Sequence, residues 1–302
     1  MTAPSENVVR ARLMLGTLSL IWGMTWPAMR IALDEVPPLS MRVATTFLGA
    51  LTLCAIVRLQ QRSFRIGGPG AWLHIAIAAL LNIVGFTLLT AFAQVQAATS
   101  RVAILTYTMP IWAILLARAI VGERINALRA TGLVFCAVGV AILIYPLVGA
   151  GIPIGLLLAL AAGASWGAGT VYLKWARIEG HPLAIVAWQG VVAFLAVALC
   201  QPIVEGSPPA LPESRTALLA VAFAGAVGSG LAYIIWFDSV RRLPAATASL
   251  GILAAPVIGV VSSTIILGER PTGADLVGFT FILAAAACVL MFPQPVRVRA
   301  QR

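Results

Sequence analysis

Residues Val121–Arg124 read "VGER", and residues Leu267–Arg270 read "LGER", 146 residues further on and again directly behind an apolar run. Only 10% of the chain is charged, so a Gly-acid-base triplet written twice points to an internal duplication. The rest of the alignment bears on the same point. At that offset Pro110 meets Pro256, Gly132 meets Gly278, and Phe135 meets Phe281. At an offset of 144, "IWGMTW" (Ile21–Trp26) meets "SWGAGT" (Ser165–Thr170), Ser19 meets Gly163, and Pro38 meets Pro182. "AAT" recurs at Ala97–Thr99 and Ala245–Thr247, two residues out of step.

Composition identifies the solvent around this duplicated chain. Of its 302 residues 61% are hydrophobic, and the mean hydropathy is +0.99. A water-soluble domain is about 45–50% apolar and about 25% charged, so most of this surface must face lipid. The net charge of +10 sits in short clusters between apolar runs, as membrane topology requires, and does not indicate a nucleic-acid partner. Cys54, Cys136, Cys200 and Cys288 all fall inside apolar runs, which reads as buried packing and implies no disulfide, metal site or cofactor. The basic N-terminus resembles a signal peptide, but the following run is long enough to span and lacks a small-x-small cleavage site.

Apolar stretches predict ten transmembrane helices, at about 13–33, 40–58, 71–93, 98–118, 127–146, 152–174, 182–203, 215–238, 245–267 and 273–292. A cytoplasmic N-terminus places 15 of the 20 basic residues inside; Arg30, Arg42, Arg101, Arg215 and Arg270 lie at or near the outer side. This bias puts both termini in the cytoplasm. The expected fold is an all-α integral membrane protein of two five-helix repeats, residues 1–147 and 148–302. Because five is odd, the second repeat is inverted, an arrangement recurrent in secondary transporters with a midplane site where the copies meet.

Ten helices, paired "WG" signatures in helices 1 and 6, and a proline followed by "GER" after helices 4 and 9 resemble the drug/metabolite transporter superfamily. The resemblance is to its EamA-type exporters, and within those to the YddG-like amino acid exporters. It implies an inner-membrane carrier that exports amino acids or related small metabolites by alternating access. It also implies a small-molecule substrate and lipid as the partners, and no enzymatic activity.

The candidate residues follow from what polar, bulky and helix-breaking groups do in lipid. Glu123-Arg124 and Glu269-Arg270 stand where one helix turns into the next, so they read as structural ties to the N-terminal end of helix 5 or 10 or to a nearby arginine. Pro110 and Pro256 each remove a backbone bond near mid-helix, as packing kinks or as hinges beside a substrate cavity. Trp22 and Trp166, repeat equivalents at mid-helix, either fill space or wall that cavity. Tyr107, one turn before Pro110, stands at the same choice. Asn82 at the centre of helix 3, with Ser229 and Tyr233 on helix 8, would orient a substrate or join helices. His74 and His181 lie near helix starts. No Asp, Glu or Lys falls at mid-membrane, so facilitated diffusion stands beside ion-coupled export, and no signature of an oligomeric state is present. A polytopic enzyme would need convergent nucleophile–base or metal-ligand sets that are missing here.

The odd-numbered duplication makes a topological prediction. Single cysteines placed near Glu123 and near Glu269, in a background without the four native cysteines, should react with an impermeant maleimide from opposite sides of the membrane. Labelling of both from one side would contradict the inversion.

Overall fold

The computed structural model describes residues 6–122, 125–147, 151–236 and 253–290. They form ten helices: α1 (Glu6–Leu33), α2 (Pro38–Leu59), α3 (Ala71–Gln94), α4 (Thr99–Ile120), α5 (Ala127–Leu147), α6 (Ile154–Ala176), α7 (Pro182–Glu205), α8 (Arg215–Trp236), α9 (Ala254–Leu267) and α10 (Gly273–Leu290). Seven of them, α2 to α8, are long and apolar enough to cross a membrane. The spans expected from the sequence fall on these helices, with α1 starting seven residues earlier than expected; the expected start of the ninth span and the last two residues of the eighth and tenth lie outside the described residues. Leu59, Ile203 and Ile265 are 82%, 82% and 76% exposed. Apolar side chains spread over the outside in this way match a lipid solvent and no other.

Local chemistry sets the helix ends. Pro38 and Pro182 occupy the first turns of α2 and α7, where the missing N–H costs nothing. The Asn126 side chain accepts from the Arg129 amide at 2.8 Å to begin α5, and Ser214 Oγ accepts from the Ala217 amide at 3.1 Å to begin α8. Gly122 and Gly268, the glycines of the two GER triplets, end α4 and α9 at φ of 73° and 69°. Only glycine takes that left-handed conformation without cost, so each GER is first a helix stop.

Three helices depart from regular winding. In α4 the ladder breaks at Tyr107–Thr108, whose amides bond three residues back, to Ile104 and Leu105. Pro110, two residues into the segment that resumes at Met109, has no N–H to offer the Thr106 carbonyl. The break therefore lies just ahead of Pro110. Pro256 sits in the first turn of the described part of α9, and the segment before it lies outside the described residues. Helices α3 and α8 each widen into π-helix, at Leu80–Gly85 and Phe223–Leu231.

Small residues bring the helices together. The most extensive packed pairs are α5–α10, α2–α7, α1–α9, α4–α6, α2–α8, α3–α7, α3–α6, α1–α8 and α4–α9, with smaller contacts such as α4–α10 and α2–α3 beside them. Leu143 packs on Gly278 and Phe135 on Phe281 (ring centroids 5.7 Å apart), so α5 and α10 run antiparallel. Phe47 meets Phe194 while Ser40 meets Gln201 and Glu205, so α2 and α7 are antiparallel too. A β-carbon on Gly23 would stand 2.6 Å from Ile258 Cβ, and one on Gly167 would stand 2.9 Å from the Ala113 amide. The glycines thus set the helix spacing.

A Cβ at Gly139 would lie 2.9 Å from the Gly278 carbonyl, whereas one at Gly16 would meet nothing within 4 Å. Gly139→Ala should therefore lower stability by about 1–3 kcal/mol through overpacking, and Gly16→Ala should not lower it. Thermal unfolding of the purified variants in detergent checks this.

Candidate functional site

One end of the bundle is fastened by carboxylates that cap helices other than their own. Glu269, just past the end of α9, accepts from the amides of Thr99 (2.5 Å) and Ser100 (2.9 Å) at the start of α4. Glu205 at the end of α7 accepts from the Leu39 (2.7 Å) and Ser40 (3.1 Å) amides at the start of α2, and Gln201 donates to it. Glu35 accepts from the Glu213 and Ser214 amides ahead of α8, and hydrogen bonds from Ser214 hold its carboxyl below the usual range. A carboxylate suits such a position because the first amides of a helix have no internal partner and the helix dipole is positive there.

The structural role expected of Glu269 thus has a partner in α4, where the sequence had suggested α10 or an arginine. α10 is capped instead by Asp275, which accepts from the Thr272 amide and pairs bidentately with Arg101 of α4 at 2.7 and 3.0 Å. Arg270 points to solvent. Glu123 and Arg124 lie outside the described residues.

The opposite end is joined differently. Ile66–Gly67 and Glu179–Gly180 pair as two short antiparallel strands, tying the α2–α3 connection to the α6–α7 connection. His74 Nδ1 lies 2.7 Å from the Tyr172 hydroxyl, and the Trp188 indole donates to the Phe64 carbonyl. His74 also packs on Trp175, so this end holds a cluster of aromatic side chains.

Between the ends, the candidate residues gather at two junctions. At the first, Trp22 Nε1 donates to the Gly228 carbonyl (3.2 Å) in the π-helical stretch of α8, and its ring meets Tyr233 edge-on at 6.5 Å and Trp236 at 6.2 Å. At the second, Trp166 meets Phe86 at 5.0 Å, and Ser165 Oγ donates to the Leu81 carbonyl (2.7 Å) in the π-helical stretch of α3. Asn82, 8% exposed, lies on the same stretch against Gly169, and its Oδ1 has no partner. A buried acceptor left unmet costs about 1–3 kcal/mol.

Tyr107 is buried at the α4 break, and its hydroxyl bonds to no described residue. Ser229 faces Gly49 of α2 and donates to its own helix at Ala224, which is a packing position. No contact joins the Trp22 and Trp166 groups among the described residues. A cavity of about 410 Å³ lies elsewhere, between α2, α7 and α8, lined by Val43, Phe47, Phe194, Leu211 and Leu218. Its walls are apolar.

Sequence reasoning passed over one group. Arg42, counted with the outer basic residues, is 4% exposed inside the junction of α1, α2 and α3. The available signal was its place inside an apolar run with Thr45 and Thr46 behind it.

The sequence profile of the EamA-like transporter family matches this chain twice, over residues 10–145 and 153–291. "Uncharacterized transporter YoaV" of Bacillus subtilis is 26% identical over 267 residues, covering 86% of this chain and 90% of its own. The "probable amino-acid metabolite efflux pump" of Escherichia coli is 22% identical over 277 residues, covering 87% of this chain and 89% of its own. A solved crystal structure superposes with a TM-score of 0.64 at 24% identity, over 93% of this chain and 98% of that one.

Removing the Glu269 carboxylate strands two amides at the start of α4. Glu269→Ala should cost about 1–3 kcal/mol of stability, and Arg270→Ala less than about 0.5 kcal/mol. Melting temperatures of the two purified variants decide between a structural tie and a dispensable surface charge.

Proposed function

Because the chain belongs to the EamA-like transporter family, we propose that it is a secondary carrier of the cytoplasmic (inner) membrane. In this reading it exports amino acids and related small metabolites by alternating access. It is a multi-pass membrane protein whose relatives are named as transporters, not enzymes. The proposed architecture is two inverted five-helix repeats with both termini cytoplasmic. The substrate class draws on two relatives named as amino-acid metabolite efflux pumps, at 22% and 23% identity.

The observation that carries the mechanism is the pairing of equivalent helices. Exchanging each helix for the one five places on turns α1–α9 into α6–α4, α2–α8 into α7–α3, and α1–α8 into α6–α3, while α2–α7, α4–α9 and α5–α10 map onto themselves. Phe135 touches Phe281, its own repeat equivalent, and those two helices are antiparallel. A helix lying antiparallel to its own copy is the geometry expected of an inverted repeat. Two such halves can exchange shapes, which gives inward-open and outward-open states of equal architecture.

The two Trp junctions are the proposed substrate walls. Trp22 bonds the widened turn of α8, while Trp166 packs on Phe86 directly behind the widened turn of α3, which its neighbour Ser165 bonds; π-helical turns occur often at functional sites. Tyr233 extends the first junction, Asn82 the second, and Tyr107 adds a hydroxyl at the break in α4. Pro110 and Pro256 are proposed as the points about which α4 and α9 bend.

Asn82 separates transport from stability. Asn82→Leu keeps the branching and heavy-atom count and removes an unpartnered buried acceptor, a gain that offsets the larger volume placed against Gly169, so the variant should still fold. If the carbonyl orients a charged substrate group, affinity should fall about ten- to hundredfold, the loss of about 1.5–3 kcal/mol. Trp166→Ala should shift preference among small and aromatic amino acids. Uptake into proteoliposomes, normalised to folded protein, tests both; unchanged affinity and selectivity would leave these residues in the packing.

A further inference from the structure

We propose that Arg42 is the group that binds the carboxylate of the substrate, an inference that rests on the carrier reading above and narrows its ligand to a carboxylate-bearing zwitterion. The guanidinium is buried, yet its partners among the described residues are weak or neutral: Met29 Sδ at 3.0 Å and Thr90 Oγ1 at 2.9 Å. Its Nε–H meets no acceptor among them. Ion pairs of the described residues include Arg30–Asp34 and Arg101–Asp275, and no described carboxylate pairs with Arg42. The neighbouring acids are spent on helix ends, Glu205 on α2, Glu35 ahead of α8 and Glu269 on α4.

An arginine stays charged in any protein environment, and an uncompensated charge in a dry interior is expensive. In a membrane protein such a residue marks a ligand path, and a planar fork of N–H donors matches a carboxylate better than any other small anionic group of an amino acid. Thr90 accepts from Arg42 while its own proton goes to the Phe86 carbonyl, so it satisfies one N–H but brings no negative charge to balance the guanidinium.

A second unmet group lies close by. Gln94, one helical turn from Thr90 on α3, is fully buried; its Nε2 donates to the Trp26 carbonyl and its Oε1 has no partner. Gln94 bonds the Trp26 carbonyl and Arg42 reaches Met29, one turn further along α1, so an unmet cationic donor and an unmet acceptor are both held against the same stretch of α1, a pairing complementary to the carboxylate and ammonium of an amino acid.

The test compares L-phenylalanine, L-threonine and L-alanine with their carboxamides, by thermal-shift binding to the purified protein and by transport in proteoliposomes. Wild type should prefer each acid over its amide by about tenfold or more. R42M should lower affinity for the acids to the level of the amides, leaving the amides unchanged, and T90V should keep or raise the preference for the acids. Equal handling of acids and amides by wild type would overturn the role of Arg42 while leaving the carrier reading intact. So would a folded R42M that keeps the preference, or a T90V that loses it. If R42M does not fold, the wild-type ratio and T90V decide. Acid-selective binding without transport of any amino acid would sustain the site and sink the carrier reading; neither binding nor transport would sink both.

Discussion

A peptide group in hydrocarbon has no water to bond, and that constraint governs the whole molecule. It turns almost every described residue into helix, and it makes each helix end and each break a place that needs a named partner. The partners are visible. Glycine stops close α4 and α9, prolines open α2 and α7, and three glutamates cross between loops to meet the first amides of α8, α2 and α4. The carboxylates at these junctions, Glu35, Glu205, Glu269 and Asp275, make up a large share of a chain that has ten acidic residues in all.

The same constraint makes the exceptions informative. A break at Tyr107–Thr108 and wide turns in α3 and α8 each loosen the backbone where lipid would penalise it. They persist because neighbouring helices come close: Gly163 of α6 lies against the freed Thr106 carbonyl, and Gly228 presents its own carbonyl to the Trp22 indole. The two ends of the bundle differ in the strength of their fastening, charge-assisted hydrogen bonds at one and a two-residue strand pair with an aromatic girdle at the other.

Much of this was legible beforehand, for a physical reason. Hydrophobic length, proline and glycine punctuation and the repeated GER are local signals, and in lipid local signals nearly fix secondary structure. Trp22 and Trp166 were singled out together as repeat equivalents; Trp22 bonds the widened turn of α8, and Trp166 packs on Phe86 just behind that of α3. Ser229 was open between orienting a substrate and joining helices, and only the packing shows that its side chain lies against Gly49.

The sequence by itself determined the solvent, the spans, the duplication and the residues that punctuate the helices, because each depends on neighbours along the chain. The tertiary structure decided who meets whom. Glu269 could have capped α10 or paired with an arginine; it crosses to α4 because α9 packs beside α4, while Asp275 already holds the start of α10. Arg42 read as one more outer basic residue, since a span boundary is uncertain by about a helical turn. Its burial without a counter-ion depends on where α1 and α3 place Met29 and Thr90, and no property of the residues beside it in the chain encodes that.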